Sequence, residues 1–368
     1  MGKRELLIII AFVAIGVVAF EVTAPPAKEG QGFSFSRLWQ NARRGVRGNA
    51  AMASATLNGD IPLGAGLTEV RIAGANRGVR VVGEDRTSIV YELHVESSGP
   101  DEATALSYAK RASLKQDDLG SSLSLTVVYP REAQQWGALM LRVPARLAVR
   151  IDGGNSADVA GVGAADLEGV SGSVSIRNVA GAVTGAQRSG DLGVSAVGAV
   201  NMTLTNSRAK FSQVARTLAL TLRNCRCEIS QTPGLIDITQ SGDGQTRILS
   251  PTGAVHVTGT GGSVTIDNPR QETKVDMRQT EVEVTLRAAV PLTLLTTDET
   301  LRLLLDGPPA VAIDAVASEG GKITADDFSV TPKHDDQEQR LSQTFGAASA
   351  PRVTLRTLRG DIVLGKVK

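Results

Sequence analysis

The sequence predicts an all-β chain, a right-handed parallel β-helix (β-solenoid), with one short helix near residues 101–115 and an N-terminal membrane helix. Three observations lead there. Short strings with apolar side chains at every second position recur between turn residues: Gly172-Ser-Val174-Ser-Ile176-Arg-Asn178, Gly253-Ala-Val255-His-Val257-Thr-Gly259 and Gly262-Ser-Val264-Thr-Ile266-Asp-Asn268. On a pleated strand this spacing puts the apolar groups on one face. A unit so short cannot bury that face alone, whereas stacked copies can. Aromatics make up only 3% of a chain that is 42% hydrophobic, and 39 glycines run through it. The core is therefore built from Val, Ile, Leu and Ala rather than aromatic bulk, which suits a narrow interior. Finally, Asn178, Asn206, Asn224 and Asn268 close several strings. Asparagine tolerates the left-handed backbone of a sharp corner, and stacked asparagines can ladder. A β-sandwich would bring more aromatics and more hairpin dipeptides such as Asn-Gly.

From the N-terminus, Leu6 to Phe20 is an unbroken apolar run behind Lys3 and Arg4, closed by Glu21. Its length falls between a signal-peptide core and a comfortable membrane span. Val22 and Ala24 fit the small-residue cleavage rule, but Pro25 would follow the cut. Residues 1–21 are accordingly read as an uncleaved signal anchor, ahead of a cleaved signal peptide and of a buried core helix. No Cys follows the run, which excludes a lipoprotein anchor. By the positive-inside rule the N-terminus stays in the cytoplasm. The expectation is a single-pass protein of the bacterial cytoplasmic membrane, the bulk of it extracytoplasmic. Residues 22–49, with Pro25 and Pro26, read as a solvated linker, in preference to a basic amphipathic segment around Phe33 to Arg47 lying on the membrane surface.

The folded region is expected over 50–368. Residues 50–150 hold N-terminal strands and a helix running from Pro100-Asp101-Glu102 to about Lys115, its acids suited to the N-terminal end. Residues 151–333 form the repeat region, with turn residues at intervals of nine to eleven positions or so. Residues 334–350 are polar and then small, and read as a flexible loop. Residues 351–368 return to strand and close the last rungs.

Several segments in order resemble a family: Gly74-Ala-Asn-Arg-Gly78-Val-Arg-Val-Val-Gly83, the helix of Asp101 to Leu114, Leu141-Arg-Val143-Pro144 ahead of Gly-bounded strands, and Leu358-Arg-Gly360-Asp361-Ile362-Val363-Leu364. Together they resemble the bacterial β-strand-repeat proteins of unknown function known as candidate adhesins. The resemblance covers about Ala53 to Lys368. It implies an envelope-exposed β-solenoid, often on a membrane anchor, with no established enzyme activity and no functional residues to carry over. The chain departs from the pattern in its polar stretch from His334 to Ala350 and in the scarcity of Gly-Asp turns within the central repeats.

No catalytic, cofactor-binding or metal-binding residues are predicted, and no cofactor. The formal net charge of +1 argues against nucleic acid as a partner. The two cysteines, Cys225 and Cys227, share a strand face with Cα atoms about 6.5–7 Å apart, the outer limit for a disulfide. They are read as small core residues ahead of a redox or metal pair. The three histidines, His94, His256 and His334, lie far apart in sequence. The first two are expected to point outward from strands and the third to sit in the loop. Gly259-Thr-Gly-Gly-Ser263 lacks the Lys-Ser/Thr ending of a phosphate loop and reads as a corner.

The enzyme alternative is a carbohydrate-active β-helix, in which Asp191, Asp237, Asp243 and Asp267 would converge with Arg223, Arg247 or Arg270. Their spacing does not force this, and Trp39 and Trp136, the only tryptophans available as sugar platforms, lie outside the central repeats. The preferred function is a non-enzymatic adhesin or interaction module. It would be bound to the membrane through its N-terminal helix and partnered by a cell-wall polysaccharide or an envelope protein. A scaffold polymerising through solenoid ends is the structural alternative.

Overall fold

The computed structural model describes residues 51–64, 66–307 and 310–367. The anchor expected over 1–21 and the linker over 22–49 lie outside the described residues. Among those described, no helix is long and apolar enough to cross a membrane. The described region is all-β apart from one helix, and its strands join in one hydrogen-bonded sheet.

The first strands are β1 (Ala51–Pro62), β2 (Glu69–Ala73), β3 (Gly78–Glu84) and β4 (Ser88–Gly99). They are followed by helix α1 (Glu102–Lys110). Asp101 caps it, accepting from the Thr104 amide at 2.7 Å and the Thr104 hydroxyl at 3.0 Å. The acid is a preferred N-cap because it satisfies an amide with no partner inside the helix. Buried Ala105 and Ala109 turn toward β1 and β4. The approach is close enough that a Cβ on Gly99 would stand 2.6 Å from the Ala105 amide nitrogen. The helix ends at Lys110 rather than near Lys115. Residues Ser113–Asp118 instead form β5, antiparallel to β6 (Ser122–Val128). Pairing there satisfies backbone groups on what would otherwise be a bare sheet edge.

After β7 (Gln135–Pro144), β8 (Ala148–Asp152) and β9 (Ser156–Ala160) comes β10, a continuous extended stretch over Ala164–Thr205 that pairs in four separate pieces. The central strands are β11 (Ser207–Val214), β12 (Leu218–Arg223), β13 (Arg226–Ser230), β14 (Ile236–Ser241), β15 (Gln245–Leu249), β16 (Val255–Thr260), β17 (Ser263–Asp267), β18 (Thr273–Arg278), β19 (Glu281–Leu286), β20 (Leu292–Thr297) and β21 (Leu301–Leu305). Each pairs in parallel with the next strand but one. β12 therefore joins β14, β16, β18 and β20, while β11 joins β13, β15, β17, β19 and β21. These are two parallel ladders, and successive partners stand 18 or 19 positions apart, as in Leu218 beside Ile236 and Ile236 beside Val255. One face of each ladder is apolar: Leu220, Ile238, Val257, Val275 and Leu294 in the first, Phe211, Ile229, Ile248, Ile266 and Val284 in the second. The other face is polar and open to solvent.

The connections carry the backbone strain. Asn178, Asn206, Asn224 and Asn268 adopt φ of 50 to 55°, the left-handed region expected of them. Ala196, Gln213, Gln231, Ser250, Gln279, Asp298, Glu319 and Arg359 occupy the same region, with φ of 46 to 65°. The amides of successive corner residues extend the ladder around the bend: Asn206 N donates to Arg223 O, Asn224 N to Ser241 O and Gln279 N to Thr297 O, at 2.9 to 3.0 Å. The residue after the corner often ties back across it. Ser207 Oγ donates to Thr205 O (2.9 Å), Cys225 Sγ to Arg223 O (3.2 Å), Thr232 Oγ1 to Ser230 O (3.2 Å) and Thr280 Oγ1 to Arg278 O (2.8 Å).

The C-terminal part comprises β22 (Ala312–Ser318), β23 (Ile323–Thr324), β24 (Lys333–Asp335), β25 (Glu338–Thr344), β26 (Arg352–Leu358) and β27 (Ile362–Lys366). Two sequence expectations are corrected here. Within 334–350, the flexible loop gives way to β24 and β25, an antiparallel hairpin whose β25 covers the free edge of β22. The polar composition that suggested a loop is that of a solvent-facing hairpin at the end of the sheet. Residues 351–368, expected to close the last rungs, are not last in the stack: β26 lies between β20 and β22, and β27 between β21 and β23. Ion pairs accompany this insertion. Asp314 on β22 meets Arg352 at 2.6 Å and Arg356 at 2.8 Å, both on β26. Arg359 bridges Asp298 at 2.5 Å and Glu319 at 3.0 Å, the corner residues on either side of it. The N-terminal end repeats the arrangement, with β2 between β6 and β8 and β3 between β7 and β9.

Candidate functional site

The parallel register stacks like positions, so the outer faces are organised in columns. On the first ladder Thr203, Thr221, Thr239 and Thr258 stand side by side on successive rungs, all exposed. On the second, Asp191 stands beside Arg208, Arg208 beside Arg226, and Arg226 beside Gln245.

Where this second column meets the Asn206 and Asn224 corners there is an open groove of about 520 Å³. Asp191, Asn206, Arg208, Asn224, Arg226 and Asp243 line it. Asn224 Nδ2 donates to Asn206 Oδ1 at 3.3 Å, which is the amide ladder the sequence suggested, and Asn224 Oδ1 accepts from the Asp243 amide at 3.2 Å. Asp191 reaches Arg208 only at 3.9 Å, beyond hydrogen-bond range. Among the described residues no carboxylate lies within 4.0 Å of the Arg226 guanidinium. A second groove, of about 400 Å³, lies over β3, β7 and β9 and includes Arg80, His94, Met140 and Asp158.

The acids considered for carbohydrate chemistry are divided among these surfaces. Asp191 and Asp243 share the larger groove. Asp237 faces out from β14 beside Ala219 and His256 on the other ladder, and Asp267 ends β17, 3.9 Å from Arg287. Arg223 ends β12 beside Ser241, Arg247 stands on β15 between Glu228 and Thr265, and Arg270 lies in the connection after β17. The four acids do not converge. Trp136 is on β7 and partly exposed.

His94 is surface-exposed, its Nδ1 3.3 Å from the Thr56 hydroxyl. His256 is half-buried between Asp237 and Lys274 in the ladder, with Nε2 enclosed and unpartnered. His334 sits on β24 rather than in a loop. Both cysteines are free and buried, and burial pushes the Cys227 thiol far above its usual range. Gly259, Gly261 and Gly262 all take positive φ and form a corner, as expected. A Cβ on Gly262 would fall 1.9 Å from the Gly244 carbonyl. The groove itself was missed in sequence. Its signal was the spacing of Asn206-Ser-Arg208 and Asn224-Cys-Arg226, two copies of Asn-x-Arg at the repeat period.

No family model matches the chain, and no curated protein matches it. Solved structures similar to it include a candidate cell adhesion protein from Clostridium sporogenes, 10% identical over 87% of this chain and 100% of that one, with a TM-score of 0.19. A candidate adhesin from Parabacteroides merdae is 13% identical over 87% and 98%, with a TM-score of 0.30. A candidate lipid binding protein from Parabacteroides distasonis is 9% identical over 86% and 97%, with a TM-score of 0.29. The first is described as a cell adhesion protein and the second as an adhesin, the word also used for the family the sequence resembles.

Proposed function

We propose that the chain is a non-enzymatic, adhesin-like interaction module. In this reading the two ladders are walls of a right-handed β-solenoid, residues 1–21 anchor it in the cytoplasmic membrane, and the solenoid is displayed outside. Its partner is a cell-wall polysaccharide or an envelope protein. One observation carries the reading: exposed polar side chains repeat in register over successive rungs, giving an extended surface with a constant spacing of about 4.8 Å. Such a surface suits a partner that also repeats or extends. End-to-end polymerisation is disfavoured, because antiparallel β5 and β25 cover the ends of one ladder at β6 and β22, and the other ladder ends at its C-terminal side in β23, only two residues long.

The test is topological. With a tag fused after Lys368, protease added to intact spheroplasts is expected to remove the tag, and the chain is expected to fractionate with membranes. A protected tag would overturn the reading.

A further inference from the structure

The larger groove has a charge order that a general polar surface does not need. Along the stack its four rungs present Asp191, then Asn206 with Arg208, then Asn224 with Arg226, then Asp243. Arg208 and Arg226 stand directly opposite on neighbouring parallel strands, where like charges repel. Asp191 is too far from Arg208 for a hydrogen bond, and no described carboxylate reaches Arg226. Apart from the long Arg208–Asp191 ion pair, the two guanidiniums thus present fork donors with no hydrogen-bond acceptor among the described residues. Asp191 stands in the arginine column one rung before Arg208, and Asp243 stands one rung after Arg226 at the corner beside Asn224, two residues before Gln245, so the acids are about 14 Å apart along the stack at the usual strand spacing. The order is negative, positive, positive, negative, and the lining has no net charge.

We propose that this groove binds an acidic glycan in which one anionic sugar unit is flanked on both sides by neutral, hydroxyl-bearing units. Arg208 and Arg226 hold the anion by charge-assisted hydrogen bonds. The amide edges of Asn206 and Asn224 lie beside it. Asp191 and Asp243 accept hydrogen bonds from hydroxyls of the neighbouring units. A polymer charged at every unit is selected against, because its outer anions would meet the two acids. A neutral polymer leaves the arginine pair uncompensated. The inference rests on the proposed role of the chain as a polymer-contacting module and gives that role a ligand class.

The experiment is equilibrium binding to the purified full chain. The probes are hyaluronan oligosaccharides, with uronate at alternate units, oligogalacturonate, with uronate at every unit, dextran, which is neutral, and a glycerol-phosphate oligomer. The expected result is tighter binding of hyaluronan than of oligogalacturonate or dextran, weakened by added salt. Arg226→Gln should lower the affinity by about tenfold, as loss of one charge-assisted contact implies. The double variant Asp191→Asn and Asp243→Asn should shift preference toward oligogalacturonate. Four results would each overturn the proposal: no probe binding, best binding of the glycerol-phosphate oligomer, which like oligogalacturonate is charged at every unit, a wild-type preference for oligogalacturonate or dextran, or unchanged affinity in Arg226→Gln. Loss of tag cleavage in spheroplasts would instead strike the proposed display, whatever the groove binds.

Discussion

Replacing each cysteine with serine separates a corner residue from a core residue two positions away. Cys225 follows the left-handed Asn224, and its thiol donates to Arg223 O at 3.2 Å. Ser207, Thr232 and Thr280 fill the equivalent place after other corners with the same bond. A serine at 225 has a ready acceptor, so Cys225→Ser should change stability by no more than about 0.5 kcal/mol, a hydroxyl bond of about 1 kcal/mol offsetting lost apolar contact. Cys227 points fully into the core. Its neighbours in register are Ala209, which has no polar side-chain atom, and Thr246, whose hydroxyl is committed to Gln240 at 2.6 Å. Burying a serine hydroxyl there should cost about 1–3 kcal/mol. For a domain of this size that is roughly 2–6 °C in Tm. Thermal melts of the two variants beside wild type measure the difference. Equal losses, or a larger loss in Cys225→Ser, would refute the assignment of Cys225 to the serine and threonine place.

Other consequences can be tested in the same way. Ala196 holds φ 54° with no polar side chain to compensate, so Ala196→Gly should stabilise by about 0.5–1 kcal/mol, the left-handed penalty less the added chain entropy of glycine. A Cβ on Gly234 would lie 1.1 Å from Arg216 O, whereas one on Gly193 meets nothing within 4 Å. Gly234→Ala should therefore destabilise by at least about 2 kcal/mol, and Gly193→Ala should leave the melting point nearly unchanged. Hydrogen bonds from Arg356, then Arg352, hold the Asp314 carboxyl below its usual range. A depressed carboxylate contributes stability above the unfolded value of about 3.9 and loses it as pH falls through the folded value. Asp314→Asn should thus unfold at lower denaturant near neutral pH and show a shallower loss in acid, read from denaturation midpoints at several pH values.

The ladders were legible because alternation is a local property. Val255 and Val257, or Val264 and Ile266, state their own burial, and Asn178, Asn206, Asn224 and Asn268 state their corners. The remaining corners were not legible because Gln213, Gln231, Gln279 and Arg359 have no intrinsic preference for left-handed backbone. The stacked neighbours impose it on them, and that is a tertiary effect. Composition also misled at 334–350, since Glu338 and Arg340 in a solvent-facing hairpin look like loop residues. Which strand neighbours which at the two ends cannot be read from periodicity, because β26 would fit equally well after β20 or beyond β22. Ladder pairing on both sides of β26 decides it, and of the ion pairs only Arg359 to Asp298 distinguishes the two places, joining residues about sixty positions apart. The groove depends on the same register, since only the pairing of Arg208 with Arg226 brings the two Asn-x-Arg copies together.

The insertion of β26 and β27 between neighbours that precede them in sequence bears on how the chain is made. During synthesis both walls of that slot, β20 with β21 and β22 with β23, leave the ribosome before the segment that fills it. Without Arg352 to Lys366 the edges of β20 and β21 on one side and of β22 and β23 on the other have no strand between them. Assembly in order along the repeat is therefore not enough to finish this molecule. A chain stopped short of residue 352 would lose an interior course of the wall rather than its top one.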